Sequence, residues 1–390
     1  MCILKNKIRV FISCSLIVIY ILCGQYNVEA EENPIIKDSE LYAKSALLMD
    51  GDSKRVLYHK NGYEQLPMAS TTKIMTCIVA LENSNPDTVV EFSSYAASMP
   101  KVKLGAGSGK KFHMKDMLYS LMLESHNDTA VAIAEAVSGN VTEFANLMNK
   151  KAKEWGALNT NFVTPNGLDD PMHYTTAYDL ALIASEAIKN EEFIKIINTT
   201  SHTFSELEGK GTYSVNNKDA FLTMLDGAVG IKTGFTGNAG YCFVGAVKKD
   251  NKTLISVVLA SGWPPNKSYK WKDTLKLMKY GLANYKYKVL FEGIDFYKNI
   301  NVYNGVEDIV PTFIEGECST LISDYDKVEY RYEIYDNVIE APVKERQVIG
   351  CMKILINNKE YAKFPIRTKK NVKEIDFKYS FMLILRKIII

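Results

Sequence analysis

Met68-Ala69-Ser70-Thr71-Thr72-Lys73 runs directly into Ile74-Met75-Thr76-Cys77-Ile78-Val79-Ala80-Leu81. Ile74, Cys77, Ile78 and Leu81 recur at i, i+3, i+4 and i+7, the apolar stripe of a helix. Pro67 precedes the stretch, and serine at position 70 is a residue type that opens helices. A helix starting there puts Ser70 and Lys73 on one face, one turn apart. A hydroxyl beside an amine at the positive end of a helix has the makings of an activated nucleophile. The same pair also reads as a capping serine and a surface lysine. Ser-x-x-Lys arises by chance in many chains of this size, so the rest of the sequence must decide.

The chain has 390 residues, room for about two domains. Hydrophobic residues make up 47% and charged residues 24%, the balance of an ordinary globular protein. A net charge of +2 excludes a strong polyanion-binding field, and no nucleic-acid partner is expected. Residues 1–30 read as a signal peptide. Lys5, Lys7 and Arg9 precede the apolar run Val10 to Leu22, and Val28-Glu29-Ala30 has the small-x-small form of a cleavage site. An uncleaved anchor is the alternative; Leu22 before Cys23 argues against a lipid-modified cysteine. The expected location is outside the cytoplasm, at the outer face of the membrane or in the wall space. Of the cysteines beyond the leader, Cys77 and Cys242 read as small core residues. Cys318 and Cys351 are candidates for a disulfide in an exported protein.

Ser45 to Met49 and Arg55 to Tyr58 flank Asp50-Gly51-Asp52, a hairpin signal. Lys101 to Lys111 is a polar, glycine-rich loop. Helical spacing returns over Met114 to Leu123, Thr129 to Val137, Phe144 to Trp155 and Tyr178 to Ile188, the last capped by Thr176. Thr164-Pro165-Asn166-Gly167-Leu168 is a turn by composition. Gly227 to Thr236 reads as a glycine-rich strand, a sign of close approach by a ligand or another backbone. Gly240 to Val247 and Thr253 to Ala260 are its expected partners, and Trp271 to Tyr285 is a helix. From residue 287 short Val/Ile/Tyr/Phe runs alternate with turns: Ile300 to Tyr303, Asp308 to Phe313, Val328 to Ile334, Val348 to Ile356 and Lys359 to Ile366. The expected organisation is a signal peptide (1–30), a catalytic domain (31–286), a small all-β domain (287–370) and a hydrophobic tail (371–390). Phe377 to Ile390 is too short for a comfortable membrane span, which needs about 20 residues. On a helical wheel Lys378, Arg386 and Lys387 do not gather on one face, so the tail reads either as an interfacial anchor with a poor moment or as a loose hydrophobic tail.

Three short motifs line up: Ser70-x-x-Lys73, Ser125-x-Asn127 and Lys232-Thr233-Gly234. Each is weak alone. Together they fall in the elements their chemistry needs: a helix start, a turn between helices and a strand. The order resembles the penicillin-recognising serine enzymes, β-lactamases and penicillin-binding proteins. Within them the chain is similar to the low-molecular-mass penicillin-binding proteins, the serine D-Ala-D-Ala carboxypeptidases. Leu48-Met49-Asp50 with Arg55-Val56-Leu57, Pro67 to Thr76, Phe162 to Leu168, His173-Tyr174-Thr175-Thr176-Ala177-Tyr178-Asp179 and Asp226 to Cys242 carry the likeness over residues 40–285. Ser261-Gly262-Trp263-Pro264-Pro265 resembles sporulation-linked members, which implies a cortex-related wall role. His126 departs from the small residue usual between Ser125 and Asn127, and Phe235-Thr236 follow Lys-Thr-Gly where members vary. An imidazole at 126 either faces the substrate or points to solvent, and solvent is the expectation.

The resemblance implies an α+β fold, an antiparallel sheet packed with helices, followed by the small all-β domain. It implies a substrate, the D-Ala-D-Ala end of a peptidoglycan stem peptide, and β-lactams as covalent inhibitors. Ser70 is the implied nucleophile, Lys73 its base and Ser125 a proton relay. Asn127 holds Lys73 and the substrate amide; Lys232 and Thr233 read the terminal carboxylate. Gly234 and Phe235 border the site, the Phe235 N–H joining that of Ser70 in the oxyanion hole. No metal or cofactor is called for. An endopeptidase or transpeptidase working through the same acyl-enzyme differs only in leaving group or acceptor and stays open. Two other readings compete. A β-lactamase adds a deacylating glutamate, in class A enzymes in a Glu-x-x-Leu-Asn pattern, and Glu154 to Asn159 has one residue too many for it. A wall-binding protein that keeps the fold without the chemistry has no reason to hold all six polar motif residues.

Overall fold

In a computed structural model residues 36–209 and 211–388 are described. The leader expected at 1–30 lies outside them.

Strands β1 (Ser45–Asp50) and β2 (Val56–Lys60) form the expected hairpin. A tight 3-10 turn, Ala69–Thr72, leads into helix α1 (Lys73–Asn83). Strands β3 (Val89–Glu91) and β4 (Lys111–His113) pair as a ribbon around the short helix α2 (Ser94–Ala97). Helix α3 (Met114–Tyr119) widens into a π-type turn over Ser120–Glu124, and α4 (Asn127–Ser138) starts just beyond it. Helices α5 (Val141–Glu154), α6 (Ala177–Ala187) and α7 (Glu191–Asn198) follow. Thr176 caps α6 as its sequence predicts, its hydroxyl accepting from the Asp179 N–H at 3.0 Å. The hairpin β5 (Ser201–Ser205) and β6 (Thr212–Asn216) precedes β7 (Ala228–Thr236), β8 (Gly240–Lys249), β9 (Lys252–Leu259) and helix α8 (Tyr269–Asn284).

The central sheet runs β2-β1-β9-β8-β7, all neighbours antiparallel. β9 therefore partners β8 and β1, and β7 is an edge strand. Side chains alternate across a strand, so β1 and β9 read as unbroken apolar runs only if both faces are covered. Leu48 and Leu254 face Gly281 of α8, while Leu47, Met49, Ile255 and Val257 enter the helical core on the other side. Cys77 sits in that core. The sheet thus lies between α8 and the remaining helices, and its free edge, β7, borders the nucleophile turn.

Helix α8 passes without a loop into β10 (Tyr285–Tyr303), which pairs with β11 (Ile309–Ser323). Strands β12 (Val328–Ile334), β13 (Val338–Glu340), β14 (Val348–Ile356) and β15 (Lys359–Thr368) complete a six-stranded sheet in the order β12-β14-β15-β11-β10-β13. Its core is separate, built on residues such as Ile300, Val310, Ile354 and Ile366. Polar contacts tie it to the β1–β2 turn. The Asp50 carboxylate accepts from Thr320 Oγ1 (3.1 Å) and the Leu321 N–H (3.0 Å), and Arg55 pairs with Asp326 at 2.6 Å. Cys318 and Cys351 are free thiols, so the expected disulfide is absent.

Helix α9 (Phe377–Ile388) corrects the wheel drawn for the tail. Phe377, Phe381, Ile384 and Ile388 recur at i, i+4, i+7 and i+11 and are all exposed, forming one apolar stripe. The basic residues need only stay off that stripe for the helix to be amphipathic, and Lys378 and Arg386 do. No helix among the described residues is long and apolar enough to cross a membrane.

Candidate active site

Ser70 is not a helix cap. Thr71 Oγ1 donates to Met68 O (2.6 Å) and Thr72 Oγ1 to Ala69 O (2.8 Å), winding residues 69–72 more tightly than an α-helix. Ala69 takes a left-handed conformation, φ +48°, which turns Ser70 outward. The helix proper starts at Lys73, with Thr72 before it and no capping side chain.

Lys73 is wholly buried and its Nζ donates to three acceptors: Ser70 Oγ (2.9 Å), Asn127 Oδ1 (2.9 Å) and the carbonyl of Asn166 (2.6 Å). Burial, then the charge of Lys232, holds its pKa well below the ordinary lysine value; Asp128 opposes them. Asn127 opens α4, and its Nδ2 donates to Pro100 O at 3.3 Å. Ser125 bridges the π-type turn and α4 in a left-handed conformation, φ +68°. Its Oγ is buried without a hydrogen-bond partner among the described residues, although it lines the same cleft as Ser70. An orphaned hydroxyl of this kind awaits a partner from a ligand.

Lys232 lies on β7 and is 2% exposed, with Nζ donating to Thr233 O at 3.1 Å. Burial lowers its pKa to about 8, against the carboxylate of Asp219. Asp219 is itself raised to about 6 by burial. Gly234 lets β7 approach the nucleophile: a Cβ there would stand 3.0 Å from Ser70 N and 3.1 Å from Met68 O. Phe235 is half-exposed and packs on Tyr241 at 4.6 Å. Ser70, Ser125, Asn127, Lys232, Thr233, Gly234 and Phe235 all line one cleft of about 600 Å³, with Lys73 buried beneath Ser70. The three motifs are thus brought together.

Other functional groups escaped the sequence. The Asn166 carbonyl belongs to a turn legible by composition, but a backbone acceptor has no letter. Gly167 follows at φ +79°, and a Cβ there would stand 2.0 Å from Ala69 O. Gly167→Ala is therefore expected to slow acylation by penicillin at least about tenfold by displacing the nucleophile turn. An unchanged acylation rate would contradict this packing. Lys270 lines the cleft beside Lys232. It is 3% exposed, stands 4.7 Å from the rings of both Tyr241 and Trp271, and donates to Lys267 O at 2.9 Å. Burial and Lys267 lower its pKa to about 8. In sequence it is one of several lysines spaced along a helix, with nothing to single it out.

His126 faces neither substrate nor solvent. It is buried, with Nδ1 2.8 Å from Ser120 Oγ and Nε2 3.4 Å from Glu124. Burial lowers its pKa, while Asp128 and Glu124 oppose the shift. Glu154 ends α5, pairs with Lys151 at 3.2 Å and does not line the cleft; Glu124 and Asp169 are the carboxylates that do.

A hydroxyl on a buried, pKa-lowered lysine, an unpartnered second serine and a cationic far wall are the groups that acyl transfer to a serine needs. The chain belongs to the D-alanyl-D-alanine carboxypeptidase family, whose profile matches residues 28–262. The profile of the penicillin-binding protein 5 C-terminal domain matches residues 285–374. D-alanyl-D-alanine carboxypeptidase DacF of Bacillus subtilis is 32% identical over 86% of this chain and 87% of its own. DacA of Haemophilus influenzae is 30% identical over 91% and 92%. The solved penicillin-binding protein 5 of H. influenzae superimposes with a TM-score of 0.72 at 29% identity, covering 86% of this chain and 98% of that one.

Proposed function

We propose that this protein removes the terminal D-Ala from peptidoglycan stem peptides as a serine-type D-Ala-D-Ala carboxypeptidase, and that penicillin acylates the same serine. The observation that carries the reading is the contact of buried Lys73 Nζ with Ser70 Oγ. In its neutral form Lys73 takes the Ser70 proton as Oγ bonds to the penultimate D-Ala carbonyl carbon. The N–H groups of Ser70 and Phe235 receive the oxyanion. The peptide C–N bond then breaks, and the leaving amine of D-Ala takes a proton through Lys73 and the unpartnered Ser125 hydroxyl. Water attacks the acyl-enzyme with the same groups returning a proton to Ser70. Asn127 holds Lys73 and the substrate amide. The ammonium of Lys232 and the hydroxyl of Thr233 read the free carboxylate, and this accounts for a carboxypeptidase rather than an internal cut. Release of D-Ala from diacetyl-Lys-D-Ala-D-Ala, lost in Ser70→Ala, tests the assignment. Release that survives Ser70→Ala overturns it. Rapid turnover of penicillin, in place of a lasting adduct, would favour a β-lactamase.

The pH profile follows from the two lysines. Acylation needs Lys73 neutral, so the rate rises as pH passes upward through its lowered pKa. Carboxylate recognition needs Lys232 protonated, so kcat/KM falls above pH of about 8. Asp219 raises the Lys232 pKa, and Asp219→Asn removes that carboxylate. The descending limb in this variant is expected to move to lower pH; a limb that stays in place contradicts the Lys232 assignment.

The reading extends to location. The basic, apolar and small-x-small pattern of residues 1–30 supports export, and the exposed stripe of α9, flanked by Lys378 and Arg386, supports a protein resting on the membrane surface. Cosedimentation of the chain with anionic vesicles, lost on deletion of residues 377–390, tests this. The run Ser261 to Pro265 supports a role in sporulation-linked wall maturation.

A further inference from the structure

Behind the nucleophile lies a buried histidine that the reaction above does not use. His173 is 3% exposed and its ring reaches two separate segments. Nδ1 receives the backbone N–H groups of Val163 (3.0 Å) and Thr164 (3.3 Å). Nε2 lies 2.8 Å from Thr72 Oγ1. A ring nitrogen that accepts two N–H bonds has no room for a proton of its own. The neutral ring therefore carries its proton on Nε2 and donates it to Thr72 Oγ1. That hydroxyl, accepting there, spends its own hydrogen on Ala69 O at 2.8 Å. The chain of donors runs one way, from imidazole to hydroxyl to carbonyl. Burial, aided by Lys73 and opposed by Asp170, lowers the ring's pKa to about 4, so it stays neutral where the enzyme works.

Both ends of the chain bear on the chemistry. Ala69 is the left-handed residue immediately before the nucleophile. Val163 and Thr164 lead to Pro165, whose carbonyl accepts from Thr76 Oγ1 (2.6 Å), and to Asn166, whose carbonyl accepts from Lys73 Nζ (2.6 Å). Gly167 then closes on the Ala69 carbonyl. One imidazole thus ties the turn that carries Ser70 to the loop that holds Lys73.

We propose that His173, as the Nε2–H tautomer, is a positioning residue for acylation, fixing Ser70 Oγ against Lys73 Nζ through Thr72 and the 163–166 segment. This rests on the acyl-enzyme reading above. A clasp of this kind acts on the geometry of the reacting pair, and a misplacement of about 1 Å costs up to ~100-fold in rate. It leaves the carboxylate-reading wall untouched, so binding before acylation is unaffected.

The test uses His173→Asn, His173→Gln and Thr72→Val in the full chain. Asparagine keeps an acceptor where Nδ1 stood but loses the donor to Thr72; glutamine keeps an N–H near the Nε2 position. The dissociation constant of the penicillin complex and the acylation rate constant are measured separately, with the melting temperature of each variant. His173→Asn and Thr72→Val are expected to slow acylation by roughly 10- to 100-fold with the dissociation constant unchanged. His173→Gln, which keeps the donor to Thr72 but loses the acceptor for the Val163 and Thr164 N–H groups, is expected to slow acylation less than His173→Asn, and the Asn/Val double variant to be no slower than the slower single. Nitrogen-15 NMR of the histidines should show Nδ1 of residue 173 unprotonated. Equal losses in Asn and Gln that track melting temperature, effects that multiply in the double variant, a loss confined to binding, or an Nδ1–H signal would each overturn the proposal. Failure of the unsubstituted protein to acylate would overturn the acyl-enzyme reading as well, and is told apart because it needs no substitution.

Discussion

Lys73→Met is expected to slow acylation of Ser70 by penicillin, and D-Ala release with it, by roughly 10²–10⁴-fold, the usual contribution of a positioned base. Methionine matches the lysine stem in shape and cannot take a proton. Two stability effects oppose each other: a buried amine is removed, and Asn127 Oδ1 and Asn166 O lose their donor. Their difference should stay within about 2 kcal/mol, so the variant folds and the rate loss is a chemical one. Lys73→Arg is no rescue, because a guanidinium does not lose its proton at working pH. A Lys73→Met protein that acylates at the original rate would remove the lysine from the mechanism.

Lys232→Gln has the second-largest expected effect, and it strikes substrates unequally. Losing a buried charge that pairs with a carboxylate costs about 2–4 kcal/mol, or roughly 30- to 1,000-fold in kcat/KM for a peptide ending in free D-Ala. A C-terminal amide of the same peptide lacks the carboxylate and should lose far less. The substitution also removes the positive neighbour that helps hold the Lys73 pKa down. The rising limb of the pH profile should therefore shift to higher pH. Equal losses on acid and amide would contradict the carboxylate role.

The motif side chains were legible because their chemistry demands a residue type at a spacing, and Ser70, Lys73, Ser125, Asn127, Lys232 and Thr233 do line one site. The local geometry was less legible. Ser70 has the letter of a helix cap, but the hydroxyls of Thr71 and Thr72 capture the carbonyls that an α-turn would use. His126 read as a solvent-facing substitution because nothing in the sequence reveals that the π-type turn folds Ser120 and Glu124 around it. In the all-β portion the short apolar runs understate the strands. Gly293 and Gly316 stand opposite each other inside the β10–β11 ladder, which continues through them. The strands are accordingly longer than their apolar runs. In α9 the placing of the basic residues obscured the apolar stripe that defines the helix.

The contacts of Asp50 and Arg55 with the strand end at Thr320–Leu321 and with Asp326 make the β1–β2 turn the seat of the all-β domain. The same hairpin belongs to the sheet whose other edge, β7, carries Lys232. The catalytic wall and the β domain are thus built on one sheet.

The central claim is that Ser70 Oγ becomes acylated. Incubating the protein with penicillin, digesting it and locating the added mass by tandem mass spectrometry tests this directly. One penicilloyl group is expected on Ser70, in the peptide spanning residues 68–73, and no adduct in Ser70→Ala. An adduct on any other residue, or one that persists in Ser70→Ala, would contradict it.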